Sequence, residues 1–235
     1  MDWWSEIVGR VTPGGPLHVT WQHLLLTGAI SLAIIVIDPL WRIARLAVTF
    51  VHELGHAVVG ILCRRRFTGF VLRGDASGHA VTRGRPRGPG RVLTAWAGYP
   101  APAVVGAVLV AAALRGWAAP VITVALLVAL VALVRVRSFL TAVVTLGILA
   151  GLAVLWWWRI EAWQGWVLMG SGLISIVGAW RHVGAVARDP SPSSDPGALA
   201  RLTRVPALVW TASFALVCAA ATWFVVMQVR GVWPT

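Results

Sequence analysis

The sequence predicts an all-α polytopic membrane protein: six or seven transmembrane helices, with a short β-hairpin after the metal-binding helix. Three observations carry this. The 235 residues are 58% hydrophobic and 12% charged, with a mean hydropathy of +0.80, whereas a soluble domain carries roughly 25% charged residues. Apolar runs of about 20 residues, the length that crosses a bilayer, recur along the chain. Inside one of them, Leu46 to Cys63, stands His52-Glu53-Leu54-Gly55-His56, and ionisable groups within a span are expensive and rarely kept without a task.

The elements follow in order. Residues 1–22 form an N-terminal leader with Trp3, Trp4, Pro13 and Pro16. It has no basic start followed by an apolar core, so no cleavable signal is expected and the first span is expected to act as an uncleaved anchor. Apolar length places spans at 23–40, 44–63, 92–114, 118–134, 138–158, 163–180 and 206–228. Only Arg135-Val136-Arg137 separates the fourth from the fifth, which leaves the count at six or seven. Helices are expected because backbone polar groups in lipid must be satisfied within their own segment. Small residues in Gly98 to Ala107 and Ala111-Ala112-Ala113 suit close helix packing. Trp156-Trp157-Trp158 fits an interfacial aromatic belt.

Two connections are long. In 64–91, the apolar and β-branched residues flanking Gly74-Asp75 and Ser77-Gly78 predict a hairpin over 67–82. The Gly/Pro/Arg-rich stretch from Arg83 to Arg91 is expected to be irregular. In the loop 181–204, Asp195 is expected to cap a helix with Pro196 at its first position. The whole, 1–235, is expected to be a single integral membrane domain.

The formal charge is +12, and all 20 basic residues are arginine. They fall between apolar runs rather than on a soluble surface, which argues against nucleic acid and for topology and lipid headgroup contact. With seven spans, one side holds Arg10, the arginines of 64–91, Arg135, Arg137, Arg181, Arg188, Arg201 and Arg204, fifteen of the 20. The positive-inside rule puts that side, N-terminus included, in the cytoplasm of a plasma membrane. Cys63 and Cys218 lie at or within spans and imply no disulfide framework.

His52 and His56 are i and i+4 on a helix, so both imidazoles point to one side and can reach one zinc ion. Glu53 beside them is placed to act as general base. Gly55 is expected to keep bulk away from the metal face. The metal would lie about 12 Å deep, eight residues before Arg64 at 1.5 Å each. A hydrolytic zinc takes three protein ligands and leaves one position for water. Elimination among the eight acids and six histidines leaves Asp195, Asp189, Asp38 and His182 as candidates for the third. Asp75 reads as a turn residue.

The run Val51-His52-Glu53-Leu54-Gly55-His56-Ala57 resembles the site-2 protease family of intramembrane zinc metallopeptidases, most of all its small bacterial HELGH branch. Ala97-Gly98-Tyr99-Pro100 after the hairpin is similar too, as is Ser194-Asp195-Pro196-Gly197-Ala198-Leu199-Ala200 followed by Pro206 and Trp210. The resemblance spans roughly residues 40 to 210. It implies Zn2+ held by His52, His56 and Asp195, with Glu53 catalytic. The implied substrate is a single-span membrane protein, such as an anti-sigma factor or a signal-peptide remnant. In this family the hairpin would hold the substrate extended by strand addition. Tyr99 is expected to pack near the metal helix. The alternative is a membrane protein that binds zinc as a scaffold or regulator without cleaving.

Overall fold

A backbone surrounded by lipid must bond to itself, and most of this chain is accordingly helical. The computed structural model describes residues 3–233. It contains α1 (Trp3–Val11), α2 (Trp21–Val36), α3 (Asp38–Leu62), β1 (Arg66–Leu72), β2 (Gly78–Arg83), α4 (Pro89–Trp96) and α5 (Pro100–Leu114). There follow α6 (Ala118–Leu133), α7 (Phe139–Trp158), α8 (Glu161–Arg188), α9 (Asp195–Thr203) and α10 (Ala207–Gly231).

The core is built on small residues. A Cβ added at Gly106 of α5 would lie 2.6 Å from the Gly172 carbonyl of α8, so these two helices pack backbone to backbone. Ala103, Val110, Ile176, Ala179 and, from α10, Phe214 and Cys218 are buried around that contact. By contrast, only 11% of the span-length window of α7 is buried despite its high hydropathy, because its solvent is lipid.

Among the described residues, four helices are long and apolar enough to cross a membrane: α3, α7, α8 and α10. The count reaches five if α4 and α5, bent by 61° at their break, are one span. The expected six or seven crossings are therefore not reached by length. At 16 residues each, α2 and α6 extend about 24 Å, short of a hydrocarbon core of about 30 Å. Extended backbone at Ile37, just before Asp38-Pro39, stops α2. Beyond α6, residues 135–137 are drawn into strand pairing.

The hairpin forms where it was expected, with Phe70 opposite Ala80 and Leu72 opposite Gly78. At its tip the Ser77 N–H donates to Asp75 Oδ1 at 2.9 Å, the turn role expected of that residue. Its two edges differ. Along β1, the Phe70 N–H donates to the Arg135 carbonyl and the Arg137 N–H to the Phe70 carbonyl, each at 3.2 Å. The Leu72 N–H donates to the fully buried Thr141 Oγ1 at 2.7 Å, and the Arg137 Nε–H to the Thr68 carbonyl at 2.8 Å. The far edge of β2 pairs with no strand among the described residues.

Two expectations about the connections change. Residues 181–188, expected in a loop, continue α8 to Arg188. The leader does not share an end with the hairpin. Its Gly14 N–H donates to the Gly116 carbonyl at 2.9 Å and Arg10 stacks over Trp156 and Trp157, all at the end where α6 begins and α7 finishes. The hairpin bonds to residues 135–137, at the other end of both helices. Between the two, α2 passes into α3 through the single extended residue Ile37, with no connecting loop.

Candidate metal centre

Helix α3 presents His52 and His56 one turn apart, and the α4–α5 break closes over them. Gly98 in that break lies so close that an added Cβ would meet both imidazoles, 2.6 Å from His52 Nε2. Gly55 has another use than the one expected. An added Cβ there would meet the Ala97 carbonyl at 2.7 Å, so Gly55 seats α3 against the break rather than clearing the metal face. Tyr99 packs edge-on to His52, ring centroids 4.9 Å apart, and stacks on Phe214 at 4.8 Å and 5°.

Asp195 arrives from α9. The N-cap there is Ser194, whose hydroxyl accepts from the Gly197 N–H. Asp195, expected to cap, is thus one residue inside the helix with its carboxylate free to turn inward. Its Oδ2 lies 3.3 Å from His52 Nε2 and 3.1 Å from His56 Nε2, and the two Nε2 atoms are 3.2 Å apart.

These three atoms suit a small cation. His56 Nδ1 lies 2.7 Å from the Thr94 carbonyl oxygen, which can only accept, so Nδ1 carries the proton and Nε2 of the neutral ring offers a lone pair. With both imidazoles neutral, two ring lone pairs and a carboxylate converge here, and they repel unless a positive charge sits among them. A tetrahedral ion with bonds of about 2.0–2.1 Å needs donors about 3.3 Å apart, close to the three distances observed.

Glu53 packs onto the hairpin. It is 3% exposed, its Oε2 has no hydrogen-bond partner among the described residues, and an added Cβ at Gly78 would lie 2.8 Å from its Cγ. A cavity of about 430 Å³ joins Glu53, the three converging residues and the length of β2.

The other candidates for a third ligand stand apart. Asp38 is exposed at the start of α3, fourteen residues and so about 21 Å of helix from His52. Asp189 is exposed at the end of α8. His182 does line the cavity, its ring centroid 6.0 Å from that of His52, but it is outside the converging group. Sequence reasoning missed Thr94, which acts through a backbone carbonyl and leaves no side-chain signal. It also missed Gly78, whose only signal was its place at the end of the hairpin turn.

A model of the family described as Peptidase M50B-like matches residues 25–225. The chain belongs to this family, the site-2 proteases. No curated protein and no solved structure matches it. Membership in the site-2 protease family implies a multi-pass membrane metallopeptidase, and the group of His52, His56 and Asp195 is where such a protein could hold its metal.

Proposed function

We propose that this protein is an intramembrane zinc endopeptidase that cleaves single-span membrane proteins. One observation carries the reading: a three-donor group with tetrahedral spacing shares one cavity with a buried carboxylate and a strand edge, both unpartnered among the described residues. His52, His56 and Asp195 would hold the ion. When bound, zinc acidifies water and polarises a peptide carbonyl. The Thr94 carbonyl keeps His56 in the ligating tautomer, and Tyr99 fixes the ring plane of His52. Glu53 accepts a proton from the attacking water and delivers it to the leaving amine.

A helical substrate shields its own peptide bonds, so the chain must be held extended. The free edge of β2 supplies main-chain partners for that, and because Gly78 packs on Glu53, a strand added there passes the general base. The single integral domain sits in the plasma membrane. The arginine-rich end bearing the hairpin faces the cytoplasm, and the leader, at the opposite end, faces the other side.

The test is Glu53→Gln in lipid nanodiscs, with zinc content and cleavage of a single-span membrane peptide measured together. The expected result is full zinc with cleavage reduced by roughly 10²–10⁴-fold. Cleavage at the wild-type rate would sink the mechanism. Full zinc with no cleavage of any membrane peptide by the wild type would favour the scaffold alternative.

A further inference from the structure

Helix α3 carries a further ionisable residue on the cavity side that the proposed chemistry does not use. Arg45 is two turns before His52 on the same face, half-buried, and lines the same cavity. It stands seven residues, about 10 Å, from the start of a span-length helix. Arginine inside a span is costly and ordinarily pairs with an anion. Here its guanidinium makes no hydrogen bond or ion pair among the described residues. Among the described residues, the carboxylates lining the cavity are Glu53 and Asp195. Asp195 is taken by the two imidazoles, and Glu53 packs against Gly78.

His182 of α8 lines the same cavity as Arg45. It also has no hydrogen bond among the described residues, and its imidazole can supply one further N–H. A guanidinium fork with a neighbouring N–H matches the oxygens of a carboxylate. No described residue of the cavity wall provides that carboxylate, so the occupant must bring it. Along the helix axis Arg45 is about 10 Å from His52, about three residues of extended chain.

Resting on the endopeptidase reading above, we propose that Arg45 and His182 form a carboxylate-recognition subsite. It selects membrane peptides that carry an acidic group about three residues from the bond to be cleaved. The group is an Asp or Glu side chain or a peptide C-terminus.

The test uses zinc-loaded Glu53→Gln protein in nanodiscs, which binds without turnover. The probes are single-span leucine–alanine peptides with one Glu placed at successive positions, their Gln counterparts, and truncations ending in a free carboxylate or its amide. Affinity is read by fluorescence anisotropy and zinc by elemental analysis. At one position the carboxylate peptide should bind about tenfold tighter than its neutral counterpart. Adding Arg45→Gln should erase that preference with zinc content unchanged, and Arg45→Lys should keep part of it. Preference for the free terminus alone assigns the subsite to C-terminal carboxylates, and preference for internal Glu assigns it to side chains. Equal binding at every position, or a preference that survives Arg45→Gln, overturns the subsite. If zinc is at full occupancy in that case, the endopeptidase reading stands without it. Zinc near zero in the wild type overturns both.

Discussion

The Nδ1 of His56 lies 2.7 Å from the carbonyl oxygen of Thr94, thirty-eight residues later in the chain. That bond ties α3 to α4 at the point where the proposed ligand must be oriented. It makes the metal centre a joint property of the HELGH helix and the segment that bends over it.

The bend leaves no room for a side chain at Gly98. Gly98→Ala puts a methyl group against both imidazoles. Forced overpacking costs about 1–3 kcal/mol, so zinc affinity should fall roughly tenfold to a hundredfold. Competition with a chelating dye measures it, and unchanged affinity would show that the break does not press on the site as described.

The converging donors distinguish among the acids. Asp195→Ala should lose bound zinc, as should His56→Ala, because each removes one of three ligands. Asp38→Ala and Asp189→Ala should retain it, since both residues are exposed and stand apart from the group. Elemental analysis of the four purified variants decides. Full occupancy in Asp195→Ala would transfer the ligand role to another residue, with His182 nearest.

Ser194 holds Asp195 in place without touching the ion. Its hydroxyl accepts from the Gly197 N–H and donates to the Ser191 carbonyl at 2.6 Å. Losing an N-cap costs about 0.5–2 kcal/mol. Ser194→Ala should therefore weaken zinc binding by several-fold while Ser194→Thr should largely restore it. Chelator competition again provides the readout, and equal affinity in all three proteins would count against a positioning role.

Thr141 fastens the hairpin at Leu72. Thr141→Val keeps the volume but leaves the buried Leu72 N–H without its acceptor. An unsatisfied buried donor costs about 1–3 kcal/mol. A lower thermal midpoint in detergent is expected, together with faster amide exchange over residues 66–83. Unchanged exchange there would mean that the pairing with 135–137 holds the hairpin unaided.

The HELGH motif was legible because helical geometry alone puts i and i+4 on one face, whatever surrounds the helix. The hairpin was legible for the same local reason, a two-residue period interrupted by turn residues at Gly74-Asp75. The choice between Ser194 and Asp195 as cap was not. Both are cap-forming residues in adjacent positions, and the deciding interaction is with imidazoles on a helix about 140 residues earlier. Nor was the 61° bend, since Ala97-Gly98-Tyr99 continues an apolar run and hydropathy measures composition rather than direction. Arginine counting placed the leader beside the hairpin because it assumed a reversal after every apolar run, and α2 passes into α3 through the single residue Ile37 with no loop between them.

Covering β1 with residues 135–137 has a consequence for how these molecules behave together in a crowded membrane. An open two-stranded hairpin could zip to a neighbour's along either side and seed edge-to-edge aggregates. With one side sealed by the chain itself and the other turned into the cavity, the sheet can be extended only from within. The same pairing that steadies the hairpin therefore also keeps identical molecules from recruiting one another as strands.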